Sequence, residues 1–89
     1  MDLAGALGEY LDYLAVERGS SPNTVAAYRR DLTRYLDWLA AEKIVEPADV
    51  TRPDVERHRG ALAEVGLSPA SLERAASAIK GFHRFMVLE

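Results

Sequence analysis

The segment Ser20-Ser21-Pro22-Asn23-Thr24, running on into Val25-Ala26-Ala27-Tyr28-Arg29-Arg30-Asp31-Leu32, constrains this chain more than any other. Ser21 is an N-cap residue. Pro22 suits the first helical position, where its missing N–H would have no partner anyway. The device recurs: Thr51 stands before Pro53, and Ser68 before Pro69. Apolar residues at the helical period follow each start, and no segment alternates with period two for long enough to make a strand. A chain punctuated in this way is expected to be all-α.

Four helices are predicted. The first runs from about Leu3 to Arg18, with Leu3, Leu7, Tyr10, Leu11 and Leu14 as its apolar stripe and Gly19 as its stop. The second runs from about Pro22 to Glu42. Val25, Tyr28, Leu32, Leu36 and Leu39 share one face, and Asn23, Ala27, Arg30 and Arg34 lie opposite. A connector from Lys43 to Val50 contains the breaker Pro47. The third helix starts at the Thr51 cap, turns Val55, Leu62 and Val65 inward, and ends at Gly66. The fourth spans Ala70 to about Val87, with Leu72, Ala75, Ala76, Ile79, Phe82 and Met86 inward and Ala70, Arg74, Ser77, Gly81 and Arg84 outward. Short connections between such helices predict a compact four-helix orthogonal bundle.

At 89 residues the chain is one domain, with room for a single core but not for a core plus a buried catalytic cleft. The absence of cysteine removes disulfide scaffolds, zinc fingers and thiol chemistry together. No apolar run approaches the ~20 residues of a membrane span, and no signal peptide is evident, so a cytoplasmic location is expected. The net charge of -3 argues against nucleic-acid binding. Its distribution softens that objection. Asp2, Glu9, Asp12, Glu17, Asp54, Glu56 and Glu64 fall on the first and third helices, whereas the fourth holds Arg74, Lys80 and Arg84 against one inner acid, Glu73.

Enzyme chemistry has little to work with. No metal-ligand spacing, phosphate loop or nucleophile elbow occurs, so no metal, cofactor or small-molecule substrate is expected. His58, between Arg57 and Arg59, reads as solvent-facing, and His83 as a core-edge residue. Tyr10, Tyr13, Tyr28 and Tyr35 fall mostly at core-facing positions. Trp38 and Phe85 read as structural but off-centre.

The outward faces allow two readings. Arg30 and Arg34, one turn apart, project from one strip. They are either a solvated face, pairing with Asp37 or with nothing, or a polyanion contact. For the second reading, Ala27, Ala70, Ser77 and Gly81 are small enough to let a backbone approach a duplex. The helix starts offer N–H groups to phosphates, and arginine can bind guanine O6 and N7 together. Gly81 costs about 1 kcal/mol relative to alanine in a helix, so it requires a reason; tight helix packing is the competing one.

Tyr10-Leu11-x-x-Leu14-x-x-Glu17-Arg18-Gly19, then Ser21-Pro22-Asn23-Thr24-x-x-x-Tyr28-Arg29-Arg30-Asp31-Leu32, then Ser77-Ala78-Ile79-Lys80-Gly81-Phe82-His83-Arg84-Phe85 resemble, in order and spacing, one known family. It is the N-terminal core-binding (SAM-like) domain of tyrosine recombinases, in particular the XerD-like members that resolve bacterial chromosome dimers. The resemblance covers essentially the whole chain and leans to the D-type over the C-type paralogue. It implies a SAM-like bundle that forms one half of a C-shaped clamp on double-stranded DNA, its second and fourth helices at the major groove. By position, Thr24, Ala27 and Arg30 would approach DNA from the second helix, and Ala70, Ser71, Arg74 and Ser77 from the fourth. Helical phase and charge add Arg34, Lys80 and Arg84 as phosphate contacts, and Arg74 is the expected base reader.

The family's catalytic residues, including the tyrosine nucleophile, belong to a second domain, so no catalytic residue is expected here. The resemblance implies a fragment that ends near the interdomain linker, with Leu88-Glu89 native or left from cloning. In the whole protein the partners would be a recombination half-site, a paralogous recombinase and further protomers of a synaptic tetramer. Two alternatives stay open: a helical protein-interaction module, and the same domain from a phage or mobile-element integrase.

Overall fold

A computed structural model describes residues 2–88. Its elements are α1 (Leu3–Val16), α2 (Pro22–Ala41), a 3-10 turn (Pro47–Asp49), α3 (Arg52–Glu64) and α4 (Pro69–Leu88). No strand occurs among the described residues, so the all-α four-helix expectation holds. Glu89, half of the pair proposed as native or a cloning scar, lies outside them.

Local chemistry sets the helix starts. The Asp2 carboxylate accepts from the Gly5 N–H at 2.8 Å, so this acid is also the cap of α1. Ser21 Oγ accepts from the Thr24 N–H, and Ser68 Oγ from the Ser71 N–H, both at 3.2 Å. At α3 the cap is reciprocal. Thr51 Oγ1 accepts from the Asp54 N–H, and the Asp54 carboxylate accepts from the Thr51 N–H at 2.9 Å. The ends are equally local. Gly19 and Gly66 sit at φ 61° and 92°, the left-handed region that only glycine enters without strain. Lys43 ends α2 at φ 63°, a non-glycine in the same conformation, and the Ile44 N–H closes back on the Leu39 carbonyl at 2.9 Å.

α2 is the central element and packs on both α1 and α4, while α3 leans on α4. The described residues span 34 × 29 × 17 Å, a slab rather than a sphere. The core joins Leu3, Ala6, Tyr10, Leu11 and Leu14 of α1 to Leu32, Tyr35 and Leu39 of α2 and to Ala78, Ile79 and Phe82 of α4. On one side Tyr10 lies 5.8 Å from the Phe82 ring and 5.3 Å from Phe85. On the other, Tyr35 stands between His58 at 5.1 Å and His83 at 5.8 Å, and Trp38 meets His58 at 5.4 Å.

Four inward or outward assignments change, at Val65, His58, Gly81 and Arg74, the last of which turns toward Asp31 of α2. Val65, expected inside, is 74% exposed beyond the last turn of α3. His58, expected in solvent, is 2% exposed, closed in by the Tyr35 and Trp38 rings, and neither ring nitrogen has a hydrogen-bond partner. Gly81, expected to face outward, faces α1: a Cβ there would run into the Tyr10 hydroxyl. Helix packing is therefore the reason for that glycine.

Candidate nucleic-acid interface

The Gly81–Tyr10 contact sets the rotation of α4. Its exposed stripe is Ala70, Glu73, Ser77, Lys80 and Arg84, whereas Arg74 and Gly81 turn toward α2 and α1. Arg74 spans the gap between helices. Its Nε–H and Nη2–H donate to the two oxygens of Asp31 on α2 at 2.8 and 2.9 Å. The Asp31 side chain is 3% exposed and that of Arg74 38%. A carboxylate so deeply placed needs its charged partner, because an unpaired buried charge is strongly destabilising. The hydrogen bonds Arg74 donates to Asp31, followed by the charge of that carboxylate, push the Arg74 pKa up, so the guanidinium stays ionised.

The outer face of α2 is different. Arg30 and Arg34 are exposed and pair with no carboxylate among the described residues; Asp37, one turn on, bonds to neither. With Ala26, Arg29, Thr33 and Asp37 they line a shallow depression that holds three arginines and one carboxylate. Arg29, not among the residues expected to bind, belongs to it; its place next to Arg30 was the available signal. Thr24 is exposed at the start of this face, its hydroxyl accepting from Ser21 Oγ at 3.0 Å, and Ala27 is half-buried.

On α4, Ala70, Ser77 and Arg84 are exposed. Ser71 is half-buried, and Ser68 Oγ donates to its hydroxyl at 3.1 Å. Lys80 lies on the opposite edge, lining a groove with Arg52, Glu56 and Arg59 of α3. Arg59 and the exposed Glu73 approach to 3.4 Å, which offsets part of that edge's positive charge. The expected residues are thus not one cluster. Arg30 and Arg34 share a face, Arg74 sits in the α2–α4 seam, and Lys80 belongs to the α3 side. The helix starts offer less to an anion than expected. Prolines remove one N–H, and Ser21 and Ser68 occupy those of Thr24 and Ser71, leaving Asn23 and Ala70.

The remaining polar groups serve the fold. Arg57 donates to Glu42 at 2.7 Å and Asp54 at 2.8 Å, and lies 5.0 Å over the Trp38 ring. Its hydrogen bond, ahead of those from Thr51, lowers the Asp54 pKa. Burial pushes the Tyr35 phenol well up and the His83 imidazole down. That pattern fits the Tyr35 hydroxyl donating to a neutral His83 Nε2 across their 2.8 Å contact. Tyr10 and Tyr35 are buried core rings. No group of metal-ligating side chains forms among the described residues, and no helix there is long and apolar enough to cross a membrane.

Residues 7–89 match the family described as phage integrase, N-terminal SAM-like domain. The chain belongs to this family. The SAM-like domain is similar to the tyrosine recombinase XerD of Staphylococcus epidermidis, 41% identical over 81 residues, which is 91% of this chain and 28% of the relative. It is 42% identical to the XerD of Bifidobacterium longum, over 86% of this chain and 25% of the relative. With that of Chlorobaculum tepidum it shares 42% identity, over 93% and 27%. The domain therefore spans about a quarter of the length of these relatives. No solved structure matches it.

Proposed function

We propose that this chain binds double-stranded DNA as the N-terminal half of a recombinase clamp. A catalytic half would lie outside these 89 residues. The observation that carries the reading is the outer face of α2, where Arg29, Arg30 and Arg34 stand exposed and without carboxylate partners beside the Arg74-bearing seam with α4. An acidic chain that leaves its arginines free on one helix has a local field suited to a phosphate backbone, whatever its net charge. Thr24, Ala27, Arg30, Arg34, Ala70, Ser71, Ser77 and Arg84 position the duplex, Lys80 adds a phosphate contact from the far edge, and Arg74 reads a base. The whole protein would be a site-specific recombinase of the cytoplasm. It would form a 3′-phosphotyrosyl link, act with a paralogous recombinase in a tetramer, and resolve chromosome dimers at cell division.

A second reading, protein interaction, has its own observation. Glu9, Asp12 and Glu17 surround Tyr13, Val16 and Phe85 on the side of α1, an acidic rim with an apolar centre suited to a neighbouring protomer. One experiment separates the two. In an NMR titration with a recombination half-site and a scrambled duplex at low salt, amide shifts along Thr24–Arg34 and Ala70–Arg84, larger for the half-site, support DNA binding. Half a clamp should bind in the ~10⁻⁴–10⁻⁶ M range of electrostatic contact. No shift with either duplex would hand the reading to protein interaction.

A further inference from the structure

We propose that Asp31 is a specificity-determining positioning residue that aims Arg74 at a guanine; this rests on the DNA-binding reading above. A guanidinium has five N–H donors in a fixed plane. Asp31 takes the side-on pair, Nε–H and one Nη2–H, at 2.8 and 2.9 Å. The end-on pair, Nη1–H and the second Nη2–H, is left over, two parallel donors of the kind that meet guanine O6 and N7 together.

Burial makes the arrangement directional. Asp31 is rooted in the core, with its side chain 3% exposed, while the Arg74 side chain keeps 38% of its surface in solvent. The carboxylate thus holds the inner edge of the guanidinium and leaves the outer edge free. A long arginine otherwise loses much rotamer freedom when it orders on a base; here that ordering is done in the free protein. The pair is also close to neutral as a unit, so Arg74 adds little to phosphate attraction. Its contribution should appear as base preference rather than as salt-dependent affinity, unlike that of Arg30 and Arg34. Lysine at position 74 could keep one ion pair with Asp31 but has no second donor edge.

The test selects preferred duplexes from a randomised pool with the 89-residue chain. It then measures affinity by fluorescence anisotropy across a salt series, with 7-deazaguanine replacing each selected guanine in turn. The wild-type chain should lose roughly 5- to 150-fold at one guanine, the range of a single bidentate contact. Asp31→Asn and Arg74→Lys should both lose the preference at that same base pair and become indifferent to the deaza base. Their salt slopes should stay within about one charge of wild type. Arg74→Lys guards against a fold defect in Asp31→Asn, as does Asp31→Glu. The latter keeps the ion pair but displaces the guanidinium, and should also lower the preference. If folded Asp31→Asn or Asp31→Glu keeps the full preference that Arg74→Lys abolishes, Asp31 is only a helix clamp and the inference fails while DNA reading stands. If the wild-type chain binds no duplex at low salt, both fail together.

Discussion

Gly81→Ala is the substitution that most directly probes how α4 is turned, and so which of its residues meet a partner. Two effects oppose each other. In an isolated helix the change should stabilise by about 1 kcal/mol. In this structure the new Cβ would collide with the Tyr10 hydroxyl, with Cζ of the same ring at 3.4 Å. The hydroxyl cannot simply swing aside. Tyr10 is 4% exposed and its ring is held among Tyr13, Phe82 and Phe85, at 6.2, 5.8 and 5.3 Å. Overpacking a fitted site costs about 1–3 kcal/mol. The net expectation is therefore a loss of about 1 kcal/mol, which for a domain of this size lowers the melting temperature by about 4–8 °C. The assay is thermal and urea unfolding of four chains: wild type, Gly81→Ala, Tyr10→Phe and the double variant. Removing the hydroxyl leaves the 3.4 Å contact, an ordinary one, so Gly81→Ala in the Tyr10→Phe background should recover the helix-propensity gain and stabilise by about 1 kcal/mol. A rise of several degrees for Gly81→Ala alone would refute the reasoning. Gly81 would then face solvent, and the stripe Ala70, Arg74, Ser77, Gly81 and Arg84 predicted from helical phase would be the exposed one.

Burial holds the His58 pKa below its usual value, with the Arg34 charge adding to the effect, and burial alone does the same for His83. Their contribution to stability is complete above the unfolded-state pKa of about 6.5 and is lost as pH falls through the lowered folded-state values. Melting temperature should thus fall between about pH 7 and pH 5, and His58→Leu, which removes two unpaired buried nitrogens, should flatten that fall. Thr51→Ala removes the acceptor for the Asp54 N–H at the start of α3 and should cost about 1 kcal/mol in urea unfolding. Lys80→Ala and Arg34→Ala should each weaken cognate and scrambled duplexes alike and reduce the salt slope by about one; an unchanged slope removes that residue from the phosphate contacts.

Of the basic residues the sequence reading placed outward, Arg30, Arg34, Lys80 and Arg84 are exposed, whereas Arg74 turns into the α2–α4 seam and the exposed Arg29 was not among them. Arg30 and Arg34 are legible because i and i+4 share a face wherever the helix lies. Arg74 is legible as a polar residue of α4. Its restraint is not, since Asp31 stands 43 residues away and nothing in the spacing announces the pair. His58 misled because two arginine neighbours in sequence suggest a wet face, while the helix turns it by 100° per residue into the Tyr35–Trp38 pocket.

What the sequence by itself determined is what short-range chemistry decides: the four helices, their starts at Asp2, Ser21, Thr51 and Ser68, and their stops at Gly19 and Gly66. Caps and left-handed glycines act within one turn, so the information lies within a few residues. Only the tertiary structure decided the rotation of α4, the burial of His58 and the bonding of Arg74 to Asp31. The α4 sequence is rich in alanine, serine and glycine, side chains too small to mark one face strongly. Its rotation is set instead by where the Tyr10 ring lies and by a buried carboxylate that requires a partner from another helix.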